Sequence, residues 1–167
     1  MSEPKGVRPQ IGEAFDNWAP EGGRGTVLKW SWVQDKLYSA RNYWVATSPE
    51  NGPPHVAPVW GVFIDDVLYF CTTNSSLKAK HIARTGAASI NLESADMVVI
   101  LKGEAKPVSD PERIETLGKA FLHKYQVEVV GKFPDQVAIS FRPQKAFAWQ
   151  GFPESEFMRT MTRFDLD

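Results

Sequence analysis

Residues 43–72, YWVATSPENGPPHVAPVWGVFIDDVLYFCT, contain three apolar segments separated by two turn sequences. The segments are residues 43–47, 55–64 and 67–72. They are rich in β-branched and aromatic residues, which favour strands. Asn51-Gly52 in the first connection is a strong hairpin signal, and Asp65-Asp66 turns the chain a second time. The pattern therefore predicts three consecutive antiparallel strands.

Pro58 interrupts the predicted strand 55–64. Proline has no backbone N–H, so it removes one hydrogen bond from a strand ladder and is confined to edges and bulges. We therefore expect this strand to be an edge, to contain a bulge, or to meet another group through its backbone.

Helical signals lie on both sides of this stretch. Ser31 and Gln34 have capping-box spacing and predict a helix that begins there and stops near residue 41 or 42. A short helix is predicted over 76–84, closed by Gly86. A longer one follows the cap sequence at Asp110 and continues to about residue 125. Lys124, near the end of that helix, is expected to be a solvated lysine.

The remaining apolar segments are predicted strands. They are residues 87–93, 97–108, 137–141, 146–149 and 157–166. The total is about eight short strands and three helices, with hairpin spacing and no regular alternation of strand and helix. We therefore predict a mainly β fold, a small β-barrel with flanking helices, rather than a parallel nucleotide-binding sheet.

Composition narrows the class of protein. The chain has 167 residues and a net charge of −1, which suits a single globular domain and disfavours a dedicated nucleic-acid binder. Residues 1–26, rich in Gly, Pro and acids, are predicted to be a flexible N-terminal arm, and residues 27–167 the domain. One cysteine and three histidines supply neither an internal disulfide nor a familiar zinc site. No apolar run reaches the roughly 18 residues of a membrane span, so we expect a cytoplasmic protein.

A polar segment from Thr72 to Lys80 lies where a predicted strand leads into a helix. Hydroxyl groups before a helix N-terminus, with Lys78 and Lys80 just inside it, form a suitable site for a phosphate. Lysines in a first helical turn also oppose the helix dipole unless an anion compensates them. The alternative is an ordinary Ser-capped surface helix with solvated lysines.

Aromatic residues suggest a second feature. His55, Pro58 and Trp60 share one strand and could form a wall for a planar ring, although such aromatics are also common core residues. No residue pattern indicates a catalytic acid, base or nucleophile, so the catalytic residues are unknown. Chemistry would have to come from a bound cofactor.

The order of these motifs resembles the pyridoxamine 5'-phosphate oxidase-like family of flavin-binding split barrels. The resemblance rests on Tyr43-Trp44-Val45-Ala46-Thr47, Pro54-His55-Val56-Ala57-Pro58-Val59-Trp60-Gly61, Leu68-Tyr69-Phe70 and Ser76-x-Lys78-Ala79-Lys80. It implies a homodimer with FMN, or the deazaflavin F420, at the subunit interface. Cofactor-binding positions would be His55, Val56, Ala57, Pro58, Val59 and Trp60 beside the ring, Thr72, Thr73, Ser76, Lys78 and Lys80 at the phosphate, and Trp149 and Arg163 from the C-terminal part.

One departure bears on the substrate. True pyridoxamine phosphate oxidases end in an Arg-x-His pattern, whereas Arg163 here is followed by Phe164 and Asp165. We therefore expect an FMN-dependent oxidoreductase with a small-molecule substrate other than pyridoxamine phosphate. The alternatives are an F420-dependent reductase of conjugated or quinone-like electrophiles and a non-catalytic flavin-binding sensor or carrier.

Overall fold

A computed structural model describes residues 3–10, 12 and 25–166. This part of the chain contains seven strands and four helices. The strands are β1 Asn42–Thr47, β2 His55–Ile64, β3 Val67–Thr73, β4 Ala87–Asn91, β5 Met97–Pro107, β6 Gln136–Gln150 and β7 Thr162–Asp165. The helices are α1 Trp30–Ser39, α2 Leu77–Thr85, α3 Pro111–Tyr125 and α4 Glu154–Thr160.

The strands form a closed antiparallel barrel. Their order is β3-β2-β1-β4-β5-β6, and β6 returns to pair with β3. The long strand β6 pairs with β5 on one side, and on the other side with β3 through its first half and β7 through its second. The predicted mainly β barrel with flanking helices is confirmed.

Two apolar clusters hold the elements together. Alternate strand residues such as Val45, Phe70 and Leu101 fill the barrel, and Trp30 and Leu37 of α1 pack against them. A second cluster lies on the outer face, where α3 covers β2, β3 and part of β6. Each strand thus buries one face inside the barrel, as period-two patterning requires.

The strand β2 changes partner along its length. Residues 55–60 pair with β1, whereas residues 61–64 pair with β3. Pro58 lies opposite Trp44 in the first part, where the other side of the strand has no ladder partner among the described residues. Of the three alternatives expected for Pro58, an edge, a bulge or a backbone contact with another group, the structure shows an edge.

The first helix is not capped as predicted. It begins at Trp30, after Lys29, without a side-chain cap. The Ser31 N–H donates to Glu3 at 2.9 Å, and the Gln34 amide donates to Asp66 at 2.8 Å instead of returning to Ser31. The Ser31 backbone and the Gln34 side chain therefore bond to distant residues, and the expected capping box does not form.

The C-terminal prediction is partly wrong. The predicted strands 137–141 and 146–149 form the single strand β6, because a register shift opposite Lys102 and Gly103 carries the strand through Pro143. Residues 157–160, predicted as strand, belong to α4. Pro153 precedes this helix and Glu154 and Glu156 lie in its first turn, where acids favour a helix.

The predicted N-terminal arm is only partly described. Residues 1–2, 11 and 13–24 lie outside the described residues. Val7 exchanges backbone hydrogen bonds of 2.8 and 2.7 Å with Arg163, and the Arg8 guanidinium donates to the carbonyls of Met158 and Arg159. Val7 and Arg8 therefore contact β7 and α4, and the flexible arm over residues 1–26 stays a prediction.

Candidate functional site

The helix α2 begins at the predicted place. Ser76 is its N-cap, and its Oγ accepts a hydrogen bond from the Ala79 N–H at 3.2 Å. Gly86 ends the helix with a φ of +67°, in the left-handed region that favours glycine. The N-terminus of α2 therefore lies directly after β3, as the sequence pattern requires.

A group of hydroxyls and one lysine surrounds this N-terminus. Thr72 Oγ1 lies 3.0 Å from Ser76 Oγ, and Lys78 Nζ donates to Thr72 Oγ1 at 3.4 Å. No carboxylate lies within ion-pair distance of Lys78 in the described part of the chain. Partial burial lowers the Lys78 pKa. Hydroxyls, an uncompensated lysine and the positive end of a helix thus meet at one point, which is suitable for an anion.

Asp135 is a neighbour of this site that the sequence did not indicate. Its carboxylate accepts the Ser75 N–H at 3.0 Å, and its carbonyl accepts the Asn74 N–H at 2.8 Å. Hydrogen bonds from Ser75 lower the Asp135 pKa, and the charge of Lys80 adds to this effect. The two segments are about 60 residues apart in sequence, so no local signal could have paired them.

Thr73, at the end of β3, and Lys80, in α2, lie beside the Asn74–Ser75 turn that Asp135 holds. Thr73 Oγ1 accepts a hydrogen bond from Ser75 Oγ at 3.2 Å, and the exposed Lys80 acts on Asp135. No hydrogen bond or ion pair among the described residues joins either side chain to Lys78. The predicted phosphate residues therefore form an inner group, Thr72, Ser76 and Lys78, and an outer pair.

The start of β2 lies against α2. The His55 ring meets the His81 ring edge-on at 6.3 Å, and His81 Nδ1 lies 3.1 Å from Thr47 Oγ1. Because His81 is buried in α2, this contact links the predicted ring-binding strand to the helix of the anion site. Both segments border the region where β2 separates from β3.

The residues of β2 between His55 and Trp60 divide by face. Val56 and Pro58 are exposed, Ala57 is half-buried, and Val59 packs inside the barrel. Trp60 is 39% exposed, and its ring stacks on Tyr125 with centroids 4.6 Å apart. Trp60 is therefore not a core residue, and one face of its ring is covered by Tyr125 of α3.

Lys124 is not the solvated lysine that the sequence predicts. Its Nζ donates to the Tyr43 hydroxyl and to the Gly61 carbonyl, both at 2.9 Å. Burial lowers its pKa to about 8. Helical periodicity placed Lys124 beside the apolar stripe of α3, but the acceptors come from β1 and β2, more than 60 residues away.

Trp149 and Arg163 lie apart from the other predicted site residues. Trp149 on β6 packs edge-on against Phe157, and Arg163 on β7 donates to Asp165 at 3.0 Å. The buried Arg163 Nε has no hydrogen-bond partner among the residues that the structure describes. Within the described part of the chain, no hydrogen bond, ion pair or ring contact joins these two residues to β2 or α2.

The structure also bears on the reactivity of Cys71, on metal binding and on membrane spans. Burial raises the pKa of the half-buried Cys71 thiol to about 11, so it is not poised as a nucleophile. Within residues 3–10, 12 and 25–166, no cluster of three or more potential metal ligands occurs. None of the described helices is long and apolar enough to cross a bilayer.

Comparison with known families gives one match. The sequence profile described as pyridoxamine 5'-phosphate oxidase matches residues 33–150. This range contains β1 to β6 together with α2 and α3, and therefore the whole barrel and the candidate anion site. No curated protein sequence is significantly similar to the chain.

Solved structures share the fold. A conserved hypothetical protein from Mycobacterium tuberculosis matches with a TM-score of 0.65 and 23% identity, over 74% of this chain and 86% of its own. General stress protein 26 from Bacillus anthracis gives 0.59 and 19%, over 71% and 91%. A Clostridium acetobutylicum protein related to general stress protein 26, of the pyridoxinephosphate oxidase family, gives 0.60 and 15%, over 81% and 92%. At these identities the likeness shows the fold alone.

Proposed function

Because the chain belongs to the pyridoxamine 5'-phosphate oxidase family, we propose that it is an FMN-dependent oxidoreductase. The cofactor phosphate binds to Thr72, Ser76 and Lys78 at the N-terminus of α2. The observation that carries this proposal is Lys78, a partly buried cation whose ammonium group has the Thr72 hydroxyl as its one hydrogen-bond partner among the described residues. A phosphate supplies the negative charge that this lysine lacks.

The residues present fit a phosphate group. Thr72 and Ser76 offer hydroxyls 3.0 Å apart, which can turn their hydrogens towards an anion. The first amides of α2, at Leu77 and Lys78, make no hydrogen bond within the described part of the chain. Asp135 supports the site from outside by holding the loop 74–75 in place, since it accepts from the backbone of both residues.

The free side of β2 is the proposed binding site for the flavin ring. Residues 55–60 pair with β1 on one side, so the other side offers backbone groups to a planar ring with donors and acceptors at its rim. Bound flavin supplies hydride transfer. The chain supplies position, shielding from water and the surrounding charges, and no acid or base for the reaction is assigned.

We also propose a homodimer with two equivalent sites. Trp149 and Arg163 lie away from β2 and α2 within one chain, and Val56 and Trp60 are exposed apolar residues on β2. A two-fold axis would bring the β6–β7 face of one subunit to the cofactor site of the other, which gives Trp149 and Arg163 their expected place at the cofactor. Two-fold dimers are the commonest closed assemblies.

The substrate is proposed to differ from pyridoxamine phosphate. Asp165 stands where the oxidase pattern has histidine, and its carboxylate accepts from Arg163 at 3.0 Å. This contact occupies the arginine and cancels part of its charge. An anionic vitamin phosphate would therefore meet a weaker positive field at this position.

Absorption spectroscopy of the purified protein and its released cofactor tests the cofactor. Two bands like those of free FMN would support the proposal, and a single band at shorter wavelength would indicate F420 instead. Reduction followed by mixing with oxygen and with candidate electron acceptors then separates an enzyme from a flavin-binding sensor or carrier. A reduced protein that returns no electrons to any acceptor would contradict the oxidoreductase.

The phosphate site is tested by Lys78→Ala. A charge-assisted hydrogen bond contributes about 1.5–3 kcal/mol, so FMN affinity should fall roughly 10- to 150-fold. Riboflavin lacks the phosphate and should lose far less affinity. Lys119→Ala is the control, since this exposed lysine pairs with Glu115 on α3. Equal losses for FMN and riboflavin, measured by quenching of flavin fluorescence, would show that Lys78 does not bind the phosphate.

A further inference from the structure

A basic groove lies on the outer face of β5, β6 and β7, away from the proposed phosphate site. It has a volume of about 670 Å³. The charged residues that line it are Lys102, Arg142, Lys145 and Asp165. None of them belongs to the group formed by Thr72, Ser76 and Lys78.

A β-bulge creates this groove. Lys102 pairs with Lys145, but the next residue, Gly103, pairs with Pro143, so Gln144 is the extra residue of β6. A Cβ atom on Gly103 would lie 2.1 Å from the Arg142 carbonyl oxygen, so this position accepts only glycine without movement of the backbone. Backbone atoms therefore form the floor of the groove, and long side chains surround it.

The cations of the groove are poorly compensated. Lys102 and Lys145 lie directly opposite one another, and like charges in this position destabilise a strand pair. Asp165 is the single acid in the lining, 3.8 Å from Lys145 Nζ, and it also accepts from Arg163. Arg142 forms no ion pair within the described residues, although the exposed Glu104 lies directly opposite it on β5. The whole chain has a net charge of −1, so this positive excess is local.

The groove also continues past the cations. A second cavity of about 450 Å³ shares Lys102 and Gly103 with the first and extends across β4 to β1. Its floor carries the small residues Ala46, Ala88 and Ser89. The two cavities together offer a positively charged end and a less polar end, a common arrangement in sites for organic anions.

We propose that this groove binds a small organic molecule that carries two or more negatively charged oxyanion groups. Arg142, Lys145 and Lys102 hold the charged groups, and the rest of the molecule lies over Ala88 and Ser89. Binding relieves the repulsion between the two facing lysines, of which Lys145 alone has a carboxylate within ion-pair distance among the described residues. The groove contains none of the residues proposed to bind the cofactor, and its nearest link to them is Asp165, which pairs with Arg163.

Isothermal titration of the protein with pyrophosphate tests the proposal, with citrate as a polycarboxylate probe and acetate as a monovalent control, all at equal ionic strength. Pyrophosphate or citrate should bind and acetate should not. Arg142→Gln and Lys145→Gln should each weaken binding about tenfold, as expected for loss of one charge-assisted contact. Lys119→Gln on α3, an exposed lysine outside the groove, should leave it unchanged.

A second measurement separates binding from folding. Lys145→Gln removes the repulsion with Lys102, so the thermal midpoint without ligand should stay the same or rise while affinity falls. Unchanged pyrophosphate and citrate affinity in the Arg142→Gln/Lys145→Gln double variant would overturn the proposal. So would loss of pyrophosphate binding in Lys78→Ala, which would assign it to the α2 site. A changed oligomeric mass with unchanged affinity would instead make this face a contact between subunits.

Discussion

Replacement of Lys124 by methionine should change how stability depends on pH. Lys124 Nζ donates to Tyr43 and Gly61, and burial lowers its pKa from 10.5 to about 8. Methionine has similar length and no charge. The Gly61 carbonyl keeps a contact of 2.9 Å with the Tyr125 hydroxyl, and the Tyr43 hydroxyl still donates to Leu37. The variant should therefore fold without a stranded polar group.

The direction in which stability changes with pH follows from proton binding to Lys124. Between pH 8 and 10.5 the unfolded chain holds a proton on Lys124 that the folded protein has lost, so the free energy of unfolding rises with pH. This stabilisation is lost as pH falls through 8. One pKa unit corresponds to about 1.36 kcal/mol, which sets an upper limit of about 3.4 kcal/mol. Lys124 is only partly buried, and screening by solvent reduces the expected total to about 1–2 kcal/mol.

Urea unfolding of wild type and Lys124→Met at several pH values from 7.5 to 9.5 measures the effect. Over this interval wild type should gain about 1 kcal/mol relative to the variant. The window ends below pH 10 because burial raises the pKa of Tyr43 and Tyr125, which acts in the opposite direction at higher pH. Lys119→Met is the matched control on the same helix. Parallel stability curves for wild type and Lys124→Met would refute the reasoning.

Three further predictions concern the ring site, the assembly and the bulge. Trp60→Ala should lower the free energy of unfolding in urea by about 1–3 kcal/mol, because it removes a half-exposed ring stacked on Tyr125. It should also shift the visible spectrum of bound flavin. An unchanged spectrum would show that Trp60 does not contact the flavin. Light scattering of the flavin-bound protein should give twice the chain mass of 18.7 kDa, and a stable monomer would exclude the proposed dimer. Gly103→Ala should lower the free energy of unfolding by about 2–4 kcal/mol, since its Cβ would meet the Arg142 carbonyl. Gly118→Ala on α3, which has open space around it, should raise it by up to about 1 kcal/mol. Equal thermal midpoints for the two variants would contradict the tight bulge.

Local chemistry allowed much of the barrel to be predicted. The strand 55–64 and the cap at Ser76 follow from signals within a few residues: β-branched and aromatic content between turns, and a hydroxyl before a helix. The edge position of Pro58 follows from its missing N–H. The prediction of a strand over 157–160 was wrong, because alternating Met and Thr side chains suit a strand as well as one turn of helix, and the acids after Pro153 favoured the helix.

The sequence by itself determined the elements and the chemical nature of the anion site. Strand and helix periods, caps and turns act over a few residues, and so do the hydroxyls and lysines at the start of α2. Only the tertiary structure decided which polar groups meet. In the folded chain Lys124 donates to the Gly61 carbonyl, Asp135 accepts from the Ser75 N–H, and Lys102 pairs with Lys145 across β5 and β6. Barrel closure and strand register bring these residues together from distant parts of the chain, and a side chain has no local pattern that reveals its partner there.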